Sequence, residues 1–242
     1  MTPPKGAAGP RSVVRGRLGV LGGTFDPIHF GHLAIGEAAR EELGCERILF
    51  VPARRPPHRP DRPIAAAADR AAMVELAIAA NPSFALSRLE LDRDGPSYTI
   101  DTLRELAQST ADLWFILSAE AFADFLDWHD PGAILAVCRL AVVPREGHPD
   151  PDLGPVGAAL GAAALDRISV LDGPRLRLAA TEVRNRAARG LSVRYLVPDA
   201  VATYIEDHRL YRGIDRVGDP NEPQPEALVA PRKPSPGGTP AP

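Results

Sequence analysis

Short apolar runs alternate along the chain with longer segments of helical periodicity. Most of the apolar runs are too short for a helix and are rich in Val, Ile, Leu and Phe, which favours strands. Residues 113–117 and 140–143 are continuous apolar runs, as expected of strands covered on both faces, whereas residues 84–91 alternate between apolar and polar positions. The predicted strands are residues 18–21, 47–51, 84–91, 113–117, 140–143 and 167–171. The predicted helices are residues 33–43, 69–80, 97–108, 181–189 and 198–208. Ser97 is a candidate N-cap, and Gly190 follows its helix as a natural C′ residue.

This alternation of strands and crossover helices predicts the fold class. It favours an α/β protein with a Rossmann-like, doubly wound, mainly parallel sheet flanked by helices. Ligands of such sheets bind beyond the carboxyl ends of the strands. We therefore expect the functional site in the loops that follow Leu21, Val51, Leu117 and Val143.

Composition divides the chain into one domain and two arms. Residues 213–242 contain eight of the 26 prolines and little that could fill a core, so we expect a disordered, Pro-rich tail. Residues 1–17 are interpreted as a shorter flexible arm. The remaining residues, 18–212, have the size of a single domain.

Charge and cysteine usage exclude several classes of protein. The net charge of −3 provides no basic surface that could hold nucleic acid, so any phosphate must be bound locally. No apolar run approaches the roughly 20 residues of a membrane helix. Cys45 and Cys138 lie in apolar stretches, as expected of buried thiols in a reducing compartment, and residues 1–17 lack the apolar core of a signal peptide. We therefore expect a cytoplasmic protein.

The loop most informative about chemistry is residues 22–32, GGTFDPIHFGH. Its paired glycines allow the backbone to approach a ligand closely. His29 and His32 fall at the start of the next helix, where free N–H groups and the helix dipole favour an anion. This pattern favours phosphoryl or nucleotidyl transfer, in which charge builds on phosphate oxygens. Two other interpretations remain: a pair of metal ligands without a visible third, or structural residues in a glycine-rich turn.

This segment resembles the HxGH signature of the nucleotidyltransferase superfamily, and it is most similar to that of bacterial nicotinate-nucleotide adenylyltransferases. The resemblance covers residues 18–212 and implies an enzyme that joins nicotinate mononucleotide to ATP, with Mg²⁺, giving nicotinate adenine dinucleotide and pyrophosphate. Related pantetheine-phosphate adenylyltransferases usually have Thr in place of His29, so this residue favours the nicotinate branch. The resemblance implies that His29 and His32 are catalytic. It also implies substrate-binding roles for Gly22, Gly23, Thr24 and Phe25.

Two further segments and a tryptophan extend the resemblance toward the pyridine substrate. Residues 54–59, RRPPHR, resemble a proline-rich loop, which implies that His58 and Arg59 meet phosphate; by themselves these residues also fit a solvated basic loop. Residues 96–102, PSYTIDT, resemble the segment beside the nicotinate ring, which implies that Thr99 binds the pyridine carboxylate; an ordinary helix start fits equally. Trp128 resembles the tryptophan that stacks on the ring, although a core or rim position also fits.

The segment LAATEVR, residues 178–184, resembles the family's ISSTxIR, which holds the β- and γ-phosphates of ATP. The resemblance implies that Thr181 binds these phosphates and that Arg184 is catalytic. Two alanines, at positions 179 and 180, replace the family's serines, so we expect weaker ATP binding. Arg145 resembles an arginine near the phosphates, and a surface position is the alternative.

A second departure from the family lies at residues 118–120. Ser118 and Glu120 stand where the family usually has Gly-x-Asp, and the acidic residue is expected to touch the nucleotide. These departures motivate one alternative function, a degenerate nucleotide-binding module without catalysis. The other alternative is a pantetheine-phosphate adenylyltransferase or another HxGH nucleotidyltransferase. No metal ligands are expected from protein side chains, and a homo-oligomer is left open.

Overall fold

The computed structural model describes residues 16–54, 65–147 and 149–213. Apart from residues 16, 17 and 213, the two predicted arms lie outside this part of the chain, as do His58 and Arg59. The strands are β1 (Leu18–Gly23), β2 (Arg47–Pro52), β3 (Phe84–Leu86), β4 (Leu113–Ser118), β5 (Arg139–Val143) and β6 (Ile168–Val170). They form one sheet in the order β3-β2-β1-β4-β5-β6. Every neighbouring pair is parallel.

Helices connect these strands and lie on both faces of the sheet. The helices are α1 (Phe30–Leu43), α2 (Ala67–Ile78), α3 (Leu89–Asp92), α4 (Thr99–Leu106), α5 (Ala119–Ala123), α6 (Pro131–Val137), α7 (Gly154–Leu160), α8 (Ala162–Leu165), α9 (Ala180–Ala188) and α10 (Asp199–Asp207). A 3₁₀ turn, Phe125–Asp127, follows α5. The strand order is that of a Rossmann fold, so the predicted fold class is confirmed.

The sheet separates two hydrophobic cores. One core holds the buried side chains of α1, α2, α9 and α10, and it includes Cys45. The other holds those of α4 to α8 and includes Cys138. Both cysteines are free and buried, as predicted, and burial raises the pKa of their thiols to about 11 and about 12. None of the helices in the described part of the chain is long and apolar enough to cross a bilayer.

Two local predictions are wrong. The strand predicted over residues 84–91 ends at Leu86, because β3 is an edge strand that pairs with β2 over three residues only, and the chain then turns into α3, which buries Glu90 and Leu91. Ser97 is not the N-cap of α4, which begins two residues later, and its hydroxyl instead accepts a hydrogen bond from the Arg54 N–H at 3.1 Å. The short helices α5 to α8 were not predicted, because they span seven residues or fewer.

Candidate active site

The site lies at the centre of the sheet, where the strand order reverses between β1 and β4. The loops after these two strands diverge at this point and leave a crevice beyond their carboxyl ends, as expected for a doubly wound sheet. Two adjoining cavities occupy the crevice, and both are lined by Gly23, Thr24 and Ala121. A molecule in one cavity would therefore meet a molecule in the other across the loop that follows β1.

The first cavity, of about 350 Å³, is called the phosphate cavity here because its walls carry imidazole and guanidinium groups. Its polar lining comes from the start of α1, the region after β4, the end of β5 and the start of α9. The predicted site residues that line it are Gly23, Thr24, His29, His32, Ser118, Glu120, Arg145, Thr181 and Arg184. The fold thus brings together residues that are up to 161 positions apart, from Gly23 to Arg184.

The two histidines are stacked at the start of α1. Their ring centroids are 3.7 Å apart, and the His29 N–H donates to Nδ1 of His32 at 3.2 Å. Since Nδ1 accepts this bond, the neutral His32 ring carries its proton on Nε2. A Cβ on Gly31 would lie 3.0 Å from two atoms of the His29 ring, so glycine permits the close approach of the ring to the helix.

Both imidazoles are held neutral. Burial and the positive charge of Arg145 lower the pKa of His32 to about 3. Burial, followed by His32 and Arg145, lowers the pKa of His29 well below its ordinary value, and its Nδ1 has no hydrogen-bond partner among the described residues. The histidines are therefore suited to donate hydrogen bonds rather than to carry charge before an anion binds.

The start of α9 provides a second group of phosphate-binding candidates. Arg184 is 5% exposed, and its Nη2 donates to the Thr181 hydroxyl at 3.0 Å. Ala179, the N-cap, makes no side-chain hydrogen bond to the helix. The first N–H groups of α9 thus face a cavity wall without a competing side-chain cap, which suits them to bind an anion.

The departure at residues 118–120 has a local explanation. The Ser118 hydroxyl accepts from the Ala121 N–H at 3.3 Å and so caps α5. Glu120 forms an ion pair with Arg145 at 2.5 Å, and Arg145 also donates to the Leu178 carbonyl at 2.9 Å. The longer acidic side chain therefore fixes an arginine on the cavity wall.

The second cavity, of about 200 Å³, is called the aromatic cavity here. Gly22 and Thr99 line it together with Trp128, whose ring packs edge-on against Phe115 and Phe125 at 5.9 Å. These contacts fix the indole plane, so that Trp128 can stack on a flat ligand.

A buried carboxyl group also lines the aromatic cavity. Glu90 is 7% exposed and accepts from the Thr102 hydroxyl at 2.9 Å. Burial raises the pKa of Glu90, whereas hydrogen bonds from the hydroxyls of Thr102 and Ser97 lower it. Only its place in the segment before PSYT could have pointed to this residue in the sequence.

Phe25 does not line either cavity within the described part of the chain. Its side chain is 2% exposed and packs edge-on against His32, with ring centroids 5.0 Å apart. The ring therefore supports the histidine from the core side. Among the described residues, no cluster of three or more His, Cys, Asp or Glu side chains is arranged to hold a metal ion.

This fold and these cavities define a nucleotide-binding α/β protein of the Rossmann type, in which a cavity lined by imidazole and guanidinium groups adjoins a cavity lined by aromatic side chains. The family model described as cytidylyltransferase-like matches residues 20–186. The chain belongs to this family.

Curated relatives resemble the chain over almost their entire length. A protein of Thermomicrobium roseum is 43% identical over 201 residues, which are 82% of this chain and 93% of the relative. A protein of Thermus thermophilus is 44% identical over 198 residues, 81% of this chain and 100% of the relative. Both are described as probable nicotinate-nucleotide adenylyltransferases.

A solved structure supports the fold. The Plasmodium falciparum nicotinic acid mononucleotide adenylyltransferase complexed with NaAD has a TM-score of 0.65 and 17% sequence identity. The match covers 81% of this chain and 98% of that one. At this identity the likeness establishes the architecture alone.

Proposed function

We propose that the protein transfers the adenylyl group of ATP to nicotinate mononucleotide, giving nicotinate adenine dinucleotide and pyrophosphate. The observation that carries this proposal is the adjoining pair of cavities, which share Gly23 and Thr24. One is suited to a triphosphate and the other to a flat ring. The names of relatives at 43–44% identity support the same reaction.

The proposed reaction is an in-line displacement at the α-phosphorus of ATP. A phosphate oxygen of nicotinate mononucleotide forms the new P–O bond, and the bond from the α-phosphorus to the bridging oxygen breaks, so that pyrophosphate leaves with the electron pair. The attacking group is already an anion, so no side-chain nucleophile is required. The protein contributes orientation and stabilises developing charge.

The positions of the side chains in the phosphate cavity suggest a role for each of them. His29 and His32 would donate to the α-phosphoryl oxygens, while Arg184 and Thr181 would hold the departing pyrophosphate. Arg145, fixed by Glu120, would add positive charge at the same wall. The N–H groups at the start of α9 would bind phosphate oxygens beside Arg184.

The aromatic cavity would hold the pyridine ring. Trp128 would stack on it, and Thr99 with neighbouring backbone would bind the carboxylate. His58 and Arg59 are proposed to orient phosphate from the resemblance alone, because they lie outside the described residues.

The donors present fit a magnesium ion carried by the nucleotide. Mg²⁺ is usually bound by one or two carboxylates together with substrate phosphates and water. Among the described residues, Asp124 and Glu120 are the carboxylates that line the phosphate cavity, and Glu120 is paired with Arg145. The ion would neutralise charge on the phosphates. An ATP-dependent reaction and two buried free thiols also fit the proposed cytoplasmic location.

Pyrophosphate release by the purified full-length protein tests the proposal. ATP and Mg²⁺ would be mixed separately with nicotinate mononucleotide, nicotinamide mononucleotide and phosphopantetheine. We expect release with the nicotinate substrate. Release with phosphopantetheine alone would identify a different nucleotidyltransferase, and ATP binding without release in any mixture would support the non-catalytic module.

A further inference from the structure

Behind the phosphate cavity lies a cluster of buried polar and charged side chains that the proposed reaction does not use directly. Asp26, Arg70 and Tyr211 are 2%, 1% and 5% exposed. Within the described part of the chain, none of the three lines the phosphate cavity or the aromatic cavity. Their side chains must therefore act on the site through other residues, or serve stability only.

Asp26 connects this cluster to the cavity. Its main-chain oxygen accepts from Nη1 of Arg184 at 2.6 Å, and its Oδ2 lies 3.9 Å from the same nitrogen. The other terminal nitrogen of Arg184, Nη2, donates to the hydroxyl of Thr181, which lines the phosphate cavity. The position of Asp26 therefore determines where the Arg184 guanidinium can point.

Tyr211 holds the carboxyl group of Asp26. The Tyr211 hydroxyl donates to Oδ1 of Asp26 at 2.8 Å, and the Ala65 N–H donates to the same oxygen at 3.0 Å. Tyr211 has a φ of 64°, a left-handed conformation that residues other than glycine rarely adopt. Such a conformation persists where the surrounding contacts determine it.

The Tyr211 hydroxyl favours the charged form of the Asp26 carboxyl group. Burial raises the pKa of this carboxyl group, and the Tyr211 hydroxyl is the strongest of the opposing influences, ahead of Ala65, Arg184 and Arg70. A carboxylate that accepts this bond remains a better counter-ion for Arg184.

We propose that Tyr211 is a positioning residue for the phosphate cavity, whose hydroxyl fixes Asp26 and, through it, the Arg184 guanidinium that receives pyrophosphate. The role of Arg184 in this chain of contacts rests on the proposed function. The contacts themselves join the C-terminal end of the fold to the loop after β1, across 185 positions of sequence.

The test compares Tyr211→Phe with a matched variant, Tyr204→Phe. Tyr204 also donates its hydroxyl to an aspartate, Asp69, at 3.0 Å, but it lines neither site cavity within the described residues. Steady-state kinetics would give KM for ATP, KM for nicotinate mononucleotide and the inhibition constant for pyrophosphate. Thermal melting of both variants would report stability.

Loss of the Tyr211 hydroxyl should weaken ATP and pyrophosphate binding by about 3- to 10-fold, as expected for one lost hydrogen bond. The KM for nicotinate mononucleotide should stay within about twofold, and Tyr204→Phe should leave all three constants within about twofold. Equal changes in the KM values for ATP and nicotinate mononucleotide would overturn the proposal. A lower melting temperature with unchanged kinetic constants at temperatures where the variant is folded would also overturn it.

Asp26→Asn provides a second test if Tyr211→Phe does not fold, because it keeps an oxygen for Tyr211 but removes the charge beside Arg184. It should weaken ATP and pyrophosphate in the same way, and the double variant should show less than additive loss. If the wild type releases no pyrophosphate with any acceptor, calorimetric titration with pyrophosphate alone still tests the proposal. Weaker pyrophosphate binding by Tyr211→Phe than by the wild type would support a positioning role, and equal binding would contradict it.

Discussion

At the scale of single residues, the chemistry of the site depends on how imidazole protons are placed. The His29 N–H occupies Nδ1 of His32, which leaves Nε2–H as the donor of a ring whose pKa is about 3. A ring that donates while neutral takes up no proton when the phosphates bind. Its contribution should therefore be found in turnover more than in folding.

The variant His32→Ala should lower kcat by about 10²- to 10³-fold, the usual effect of removing one donor to transition-state charge. His208→Ala is the matched control, because His208 is exposed and stacks only on Tyr204 among the ring contacts of the described residues. Pyrophosphate release measures both. Near-normal turnover in His32→Ala would contradict the assignment.

Trp128, in the aromatic cavity, should affect the binding of nicotinate mononucleotide. Aromatic stacking on a flat heterocycle is worth about 1–3 kcal/mol, so Trp128→Ala should raise KM for nicotinate mononucleotide by about 5- to 150-fold. The KM for ATP should change little, because Trp128 does not line the phosphate cavity. An equal rise in both KM values would indicate a general loss of structure instead.

The contacts that could be expected from the sequence are those between residues that are close in sequence. His29 and His32 are three positions apart, and their meeting at a helix start follows from local geometry. The ion pair of Glu120 and Arg145 and the bond from Tyr211 to Asp26 join distant segments, so no local pattern reveals them. Composition gave no signal for these contacts either.

At the scale of secondary-structure elements, the start of α9 is the proposed binding site for the β- and γ-phosphates of ATP. Ala179 and Ala180 line the phosphate cavity. They stand where the family segment ISSTxIR, which this sequence resembles, has two serines. The backbone donors remain, so binding should be weakened but retained.

Restoring a hydroxyl with Ala180→Ser should lower KM for ATP by about 2- to 10-fold, the value of one added hydrogen bond. Ala188→Ser, at the opposite end of α9, introduces the same group away from the cavity and should have no effect. Steady-state kinetics at saturating nicotinate mononucleotide compares the two. A KM for ATP that is unchanged by Ala180→Ser would show that this position does not face phosphate.

The elements themselves were predictable in proportion to their length and periodicity. The central strands β1, β2, β4 and β5 consist mainly of apolar residues, and the bounds predicted for all four lie within two residues of the observed ends. Segment 84–91 was misassigned because its alternation conceals a turn that buries Glu90. Helices shorter than two turns show too few repeats for a helical period to be recognised.

At the scale of the whole molecule, the neutral histidines couple folding to pH. An unfolded His32 would have an ordinary pKa near 6.5, whereas the folded value is about 3. Between these values the unfolded chain binds more protons at this position than the folded chain does. The contribution of His32 to the free energy of unfolding is therefore fully present above about pH 6.5 and is lost as pH falls below it. His29 acts in the same direction, since its pKa is also lowered. Asp26 and Glu90, with raised pKa values, act in the opposite direction.

The variant His32→Gln separates these contributions, because glutamine keeps a donor of similar size but does not titrate. From pH 7.5 to pH 5.5, the free energy of unfolding of the wild type should fall by about 1.4 kcal/mol more than that of the variant. Urea unfolding at the two pH values measures the difference, in which the shared contributions of Asp26 and Glu90 cancel. Parallel pH profiles for the two proteins would mean that the folded structure does not hold His32 neutral, and the proposed neutral donor at the α-phosphoryl group would then be wrong.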